Sequence, residues 1–291
     1  MSNYFNNHKF SSNIKIPKLF KIGIGIVNVI SKRLTLKIVV QIFSTPQKFK
    51  IPTRELGMLE SAQKKMIYCS AIDKNIEVLS YGFSDKKVLL AHGWSGRSTQ
   101  LFMIANYLLE QGYMVISFDG PAHGASSGKT TNLIELIASV ESITEEFEPF
   151  ISGVGHSFGG LILMNLQAEQ ETFKCLVTIG APDKVKYIFA NFIENIGLPS
   201  KVYKNLIIYF ENKYNISVAK KSASYVAKNI KTPTLVIHDA QDSEVSVSDA
   251  LNIRKHLKKG ALLITNGFGH TKILRNKEIT KNIITFITQN T

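Results

Sequence analysis

From residue 64 onward, short runs rich in β-branched residues alternate with stretches whose apolar positions recur every three or four residues. That alternation is the sequence form of a mostly parallel sheet covered by helices on both faces. Two runs, Met66 to Ile72 and Ile76 to Phe83, come close together and predict a leading antiparallel hairpin. The regular alternation then begins. Strand Val88 to Ala91 precedes a helix around Gln100 to Glu110, strand Tyr113 to Phe118 precedes a helix around Leu133 to Phe147, and strand Ile151 to Gly155 runs into a helix starting at Phe158. Strand Cys175 to Ile179 follows. The stretch from Asp183 to about Lys231 is longer than an ordinary crossover, mostly helical in pattern, and interrupted by Gly197, Pro199 and Asn215. The alternation resumes with strand Thr234 to His238, a helix around Ser248 to Lys258, strand Ala261 to Thr265 and a last helix from Ile279 to Ile287. Eight strands are predicted, with one large insertion after the sixth.

The N-terminal segment has a different pattern. Lys18, Lys21, Gly25, Asn28 and Lys32 recur at spacings of three and four, so on a helix they form one narrow polar stripe. Leu19, Phe20, Ile22, Ile24, Ile26, Val27, Val29 and Ile30 cover the rest, and such a helix does not stand alone in water. A second apolar run, Leu34 to Phe43 around Lys37, ends before Pro46 and is placed to pair with the first as a helical hairpin. Spanning a bilayer is disfavoured, because Lys21, Lys32, Arg33 and Lys37 would each cost roughly 2.5–3.5 kcal/mol near its centre. The longest uncharged apolar stretch there, Ile22 to Ser31, is about half of what a spanning helix needs. Two placements stay open. Either the helices pack on the remainder of the chain or on a second subunit of a homo-oligomer, or residues 14–43 lie in the interface of an anionic membrane. In the second case apolar burial and roughly 1 kcal/mol per basic residue would add together.

Length and charge sharpen this division. At 291 residues, one domain with an insertion is expected: an N-terminal helical segment over 1–63, a core over 64–182 and 232–291, and a helical cap over 183–231. The net charge of +13 would suggest a nucleic-acid or anionic-membrane partner if it were spread evenly. It is not. Ten basic residues precede Glu55, the first acidic residue, which leaves 25 basic against 22 acidic residues for everything after Arg54. The core is nearly neutral, which argues against nucleic-acid binding and makes the basic balance a property of an N-terminal appendage. Cys69 and Cys175 lie far apart in apolar runs and are expected as free buried thiols, fitting a reducing compartment. No basic start, apolar run and small-residue cleavage site stand in secretory order, so the expected location is cytoplasmic, with peripheral contact to the membrane's inner face under the second placement.

The candidate chemistry centres on Gly155-His156-Ser157-Phe158-Gly159, which fits G-x-S-x-G. The bare pattern arises by chance in roughly one chain in ten of this length, so it is weak alone. Here it sits between a β run and a helical run, the strand-turn-helix context in which glycines relieve crowding around an exposed serine. A serine hydroxyl needs a base, and the base needs an acid to hold its tautomer. With this turn, the acid and then the base follow the serine along the chain, on loops at strand ends. His270 follows the strand Ala261 to Thr265, whereas His256 falls inside an amphipathic helix as a solvated side chain. Asp239, Asp242 and Glu244 compete for the acid. Asp239 is close enough to the strand end to turn the chain, Asp242 lies deeper in the loop and is the leading candidate, and Asp183 is a further possibility. The backbone N–H groups of Phe158 and of Trp94, in Leu90-Ala91-His92-Gly93-Trp94, are the candidate oxyanion donors. His92 is expected as a hydrogen-bonded loop histidine, and Asp119 to Gly124 as a tight structural turn.

Taken together, His92-Gly93-Trp94, Asp119 to Gly124, Gly155 to Gly160, Asp242 and Gly269-His270 resemble the α/β-hydrolase superfamily, in the branch of monoacylglycerol lipases and small serine esterases. The resemblance covers roughly residues 64–290 and implies an α/β-hydrolase fold, a Ser157–Asp242–His270 triad, and no metal or cofactor. Two departures are visible: Ala122 stands where many relatives have glycine, and Ser246 where they often have proline.

The resemblance also implies a cap over the site. Tyr187, Phe189, Phe192, Tyr203, Tyr209, Phe210, Tyr214 and Tyr225 fall in it, and Phe189, Phe192, Tyr209 and Phe210 are the candidate substrate contacts. They favour a small-molecule ester with an apolar acyl or aromatic group, cleaved through an acyl-enzyme on Ser157. A thioesterase, an acyltransferase or an aminopeptidase-like amidase would use the same triad, the last with Glu194 or Glu211 holding a free amine. A reading from another class keeps the fold as a non-catalytic ligand-binding protein.

Overall fold

The eight β-rich runs pair into one sheet in the computed structural model of the protein, which describes residues 17–291. Strands β1 (Gln63–Cys69) and β2 (Lys74–Tyr81) form the antiparallel hairpin at one edge, and β2 continues antiparallel onto β4 (Met114–Phe118). From β4 onward the neighbours are parallel, in the spatial order β4, β3 (Lys87–Ala91), β5 (Phe150–His156), β6 (Cys175–Ile179), β7 (Thr234–Asp239) and β8 (Gly260–Thr265). The hairpin begins a few residues earlier than the sequence predicts, because Ser70–Ile72 forms a tight turn that ends at Asp73 in the left-handed conformation. All seven residues of β5 are buried, as a central parallel strand requires. β1 instead buries only Ile67 and Cys69 and carries Lys64 and Lys65, charges that discourage pairing with another edge.

Period-two alternation splits the core between the two faces. Val88 and Leu90 of β3 pack with α4 (Phe102–Glu110) and α12 (Lys277–Gln289), while Leu89 and Ala91 pack with α5 (Leu133–Phe147) and α6 (Phe158–Gln170). Side-chain caps start several helices. Asn132 accepts from the N–H groups of Ile134 and Glu135 at α5, and Asn276 does the same for α12. Ser246 caps α10 (Val247–His256) with φ −67°, a backbone angle that proline also adopts, so the serine keeps the loop's shape and adds a cap.

The segment between β6 and β7 is helical, comprising α7 (Val185–Asn195), α8 (Lys201–Tyr214) and the short α9 (Ala223–Val226). Its breaks fall at Gly197 and Asn215, both left-handed at φ +78° and +51°. At the N-terminus, α1 (Lys18–Ile30) and α2 (Lys32–Phe43) form the expected hairpin, with Ser31 capping α2; Ile14 to Ile16 lie outside the described residues. The hairpin is not an appendage. Ile24 and Val39 are buried in the same apolar core as Phe189, Leu206 and Phe210 of α7 and α8. α3 (Thr53–Ser61) follows and brings Glu55 into the protein. Its carboxylate takes both a bidentate pair from Arg97, at 2.6 and 2.7 Å, and the Thr99 hydroxyl at 2.8 Å, so the chain's first acid anchors the segment after β3. Among the described residues no helix is long and apolar enough to cross a membrane.

Candidate active site

β3 lies between β4 and β5, so the chain leaves β3 toward one side of the sheet and β5 toward the other. Loops diverge at such a switch point and leave a crevice at the strands' carboxyl ends. Ser157 stands there, directly after β5, with φ 51° and ψ −119°. Its backbone N–H donates to the Ile179 carbonyl at 2.8 Å, which fixes the turn into α6. The two motif glycines are required by space. A Cβ on Gly155 would come 2.5 Å from the Gly160 nitrogen, and one on Gly159 would come 2.3 Å from the Ala91 carbonyl oxygen. The sharp turn thereby puts the serine on the wall of a cavity.

The loop after β3 lies against the serine: a Cβ on Gly93 would come 3.0 Å from Ser157 Cβ. A polar net holds this loop. His92 Nδ1–H donates to the Gly93 carbonyl at 2.7 Å, and its Nε2 accepts from Gly120 N–H at 2.9 Å. Ser95 N–H donates to His123 Nε2 at 3.0 Å, and the Asp119 carboxylate accepts from the N–H groups of Ser98 and Ala125 at 2.7 and 2.8 Å. Both histidines accept through Nε2, which requires the neutral ring. Burial drives each that way, lowering His92 and bringing His123 down to about 3. His92 and Asp119 are thus scaffold, as expected. Ala122 in the turn takes φ +65°, the left-handed region that glycine enters most readily. Among the described residues, the N–H groups of Trp94 and Phe158 make no hydrogen bond, so both remain free to donate beside Ser157.

His270 opens α11 (Gly269–Lys272) after β8, and its Nδ1–H donates to Asp242 Oδ2 at 2.7 Å. Asp242 Oδ1 accepts from the N–H groups of Glu244 and Val245, at 2.8 and 2.9 Å. The alternatives for the acid are engaged elsewhere. Asp239 accepts from the Gln241 and Phe268 N–H groups and the Thr265 hydroxyl, turning the chain as expected; Asp183 holds Ser224 N–H and the Asn252 amide. His256 bonds its own helix at the Asn252 carbonyl. Two histidines that the sequence does not single out support the pair. His156 Nε2–H donates to the His270 carbonyl at 2.9 Å, and His238 Nε2 lies 3.4 Å from Asp242 Oδ2. His156 stands in the motif and His238 ends a strand run, but neither position says what its ring meets. Among the described residues no hydrogen bond joins Ser157 Oγ to His270; the residue before the serine, His156, meets His270, with ring centroids 4.7 Å apart.

Burial opposes charge on both members of the pair, and hydrogen bonding decides the outcome. For Asp242, burial would raise the pKa, but hydrogen bonds from His238 and His270 hold it well below the usual carboxylate range. For His270, burial would lower it, but the Asp242 hydrogen bond and charge, with Glu244 3.8 Å from Nε2, leave it raised above 6.5. A base must be neutral to accept a proton, so kcat/KM should rise with pH through a midpoint above about 6.5. Asp242→Asn removes the charge and should move that midpoint down. A pH–rate profile flat from about pH 5.5 to 8 would contradict this assignment.

The cavity beside Ser157 has a volume of about 360 Å³. Trp94, Phe158, Phe189, Phe192 and Phe210 line it, as does a wall absent from the sequence reading: Phe20 of α1 and Ile42 and Phe43 of α2. The Phe43 ring is central, with centroids 4.9, 5.1 and 5.9 Å from Phe189, Phe192 and Phe210 and 6.2 Å from Trp94. Its signal in the sequence is its place at the end of the second apolar run. Tyr209, a candidate contact, does not line the cavity but packs edge-on against Phe210 at 5.3 Å. Neither Glu194 nor Glu211 lines it; Glu194 is exposed and Glu211 accepts from Val218 N–H. The amine-binding role weighed for them has no support here. Among the described residues no cluster of three or more His, Cys, Asp or Glu is placed to hold a metal ion.

Residues 86–196 match a family model described as the alpha/beta hydrolase fold, and residues 213–291 match one described as TAP-like protein. No curated protein matches the chain. Among solved structures, an esterase of Pyrococcus furiosus is similar at 20% identity and TM-score 0.64, covering 84% of this chain and 98% of its own. Est1E of Butyrivibrio proteoclasticus, solved with ferulic acid, is similar at 16% identity and TM-score 0.59, covering 77% and 99%. A membrane phospholipase A described as a bacterial virulence factor is similar at 17% identity and TM-score 0.62, covering 94% and 99%. At these identities the likeness is one of fold.

Proposed function

We propose that this chain, a member of the α/β-hydrolase superfamily, cleaves carboxylic esters with an apolar acyl or aromatic group through an acyl-enzyme on Ser157. The observation that carries the reading is one assembly: a strained serine on a cavity wall, two unengaged N–H groups beside it, and a buried histidine–carboxylate pair whose histidine meets His156, the residue before that serine. In the proposed cycle, Ser157 Oγ attacks the ester carbonyl carbon as His270 Nε2 takes the hydroxyl proton. Asp242 keeps Nδ1 protonated and stabilises the imidazolium. Trp94 and Phe158 N–H groups receive the oxyanion, His270 returns the proton to the departing alkoxide, and water resolves the acyl-enzyme by the same steps.

The wall of Phe43, Phe189, Phe192 and Phe210 supports an apolar acyl group over a sugar or a charged one. The esterases and the phospholipase A of similar fold support ester substrates, and the latter match extends over more of the chain than residues 44–291 comprise. The test is a panel of acyl esters of graded length with Ser157→Ala as blank. Each methylene buried in the cavity is worth about 0.8 kcal/mol, so kcat/KM should rise about fourfold per methylene through short and medium chains. Rates flat from acetyl to octanoyl, or highest on a charged acyl group, would contradict the reading.

A further inference from the structure

α1 is turned the opposite way from an ordinary surface helix. The residues it directs into the protein are Ile24 and Asn28, with the stem of Lys21 against Gly197. Outward it presents Leu19, Ile22, Ile26, Val29 and Ile30, and Leu19, Val29 and Ile30 are 84, 82 and 78% exposed. On a helix these five fall within an arc of about 100°, one continuous apolar face. Soluble proteins seldom leave such a face in water without a partner. Around it the hairpin exposes Lys18, Lys32, Arg33 and Lys37, and no acidic residue occurs before Glu55. The same helix begins at the cavity, where Pro17 and Phe20 form part of the wall that also holds Ser157.

We propose that this face of α1 docks on the interface of an anionic lipid bilayer, lying along it, and sets the Ser157 cavity against the lipid. Charge selects this occupant. A second copy of the chain would bring like-charged hairpins together, whereas anionic headgroups neutralise the lysines while the isoleucines enter the acyl boundary. At 13 residues α1 is too short to cross, so it lies on the surface rather than through it. Docking deepens the ester-hydrolase reading by naming the source of the substrate, an ester lipid drawn from the bilayer into the cavity beside Phe20. The docking itself does not depend on that reading.

The test uses the full chain and a variant carrying Ile22→Ser, Ile26→Ser and Val29→Ser, positions that are exposed and do not line the cavity. Each is sedimented with phosphatidylglycerol–phosphatidylcholine vesicles and with phosphatidylcholine vesicles alone, at low and high salt. Each is also assayed on a water-soluble butyrate ester. The wild type is expected to bind the anionic vesicles and to lose roughly tenfold in partitioning on pure phosphatidylcholine or at about 0.5 M salt. The variant should lose at least about tenfold on anionic vesicles, with soluble-ester kcat/KM within about twofold of wild type. Wild type that stays in the supernatant at low salt overturns the proposal. Vesicle binding unchanged in the variant does the same, as does a wild-type dimer that the variant abolishes without any vesicle binding. Salt-sensitive vesicle binding without turnover of any ester would sink the hydrolase reading and leave the docking surface standing.

Discussion

Ser157→Ala is expected to lower kcat by several powers of ten, on the order of 10⁵ to 10⁶, while the protein stays folded. Alanine keeps the Cβ that the strained elbow already accommodates, and among the described residues Ser157 Oγ holds no hydrogen bond whose loss would leave a buried partner unsatisfied. Thermal unfolding should therefore move by no more than about 1 kcal/mol. His270→Ala should cost a similar amount of rate, and the double variant should be no slower than either single, because the two act as one unit. More than about a tenth of wild-type kcat surviving in Ser157→Ala would remove the serine from the mechanism.

Asp242→Asn is the second large effect, a loss in kcat of about 10⁴. The Glu244 and Val245 N–H groups would still bond the amide oxygen, which aims the amide NH2 at His270 Nδ1. That donor forces the proton onto Nε2, the atom that must accept from Ser157. Asp239→Asn should behave differently: its carboxylate joins the ends of β7 and β8, so the loss should fall mainly on unfolding temperature. A larger kcat loss at Asp239 than at Asp242 would reverse the assignment.

Much of the local geometry around Ser157 was legible in the sequence, because it is fixed by local rules. A β run, two glycines flanking a serine and a helical run permit little other than a sharp elbow, and Leu133–Phe147 and Cys175–Ile179 form with the boundaries their periodicities predict. What failed were facts about orientation. The stripe of Lys18, Lys21, Gly25, Asn28 and Lys32 was visible, but periodicity says only that one side of a helix differs from the other. It does not say which side meets the protein. Leu19, Ile22, Ile26, Val29 and Ile30 turned out while Ile24 and Asn28 turned in, and the pattern of α2 likewise did not show that the Phe43 ring reaches the cavity, which follows from α2 packing against α8. Tyr209 failed for a related reason. It neighbours Phe210 on α8, adjacent helical positions point about 100° apart, and only Phe210 faces the cavity. The Glu55–Arg97 pair joins residues 42 positions apart, and no local pattern encodes it.

The central claim, that Ser157 is an activated nucleophile, is tested most directly by labelling with a fluorophosphonate probe, which requires no knowledge of the substrate. Phosphorus forms a bond to the serine oxygen as fluoride leaves and His270 takes the proton, so only an activated hydroxyl reacts. The account predicts one modified residue, Ser157, found by mass spectrometry of the peptide that carries it, with labelling abolished in Ser157→Ala and strongly slowed in His270→Ala. A folded wild-type protein that stays unlabelled, or a label that persists in Ser157→Ala, would contradict it.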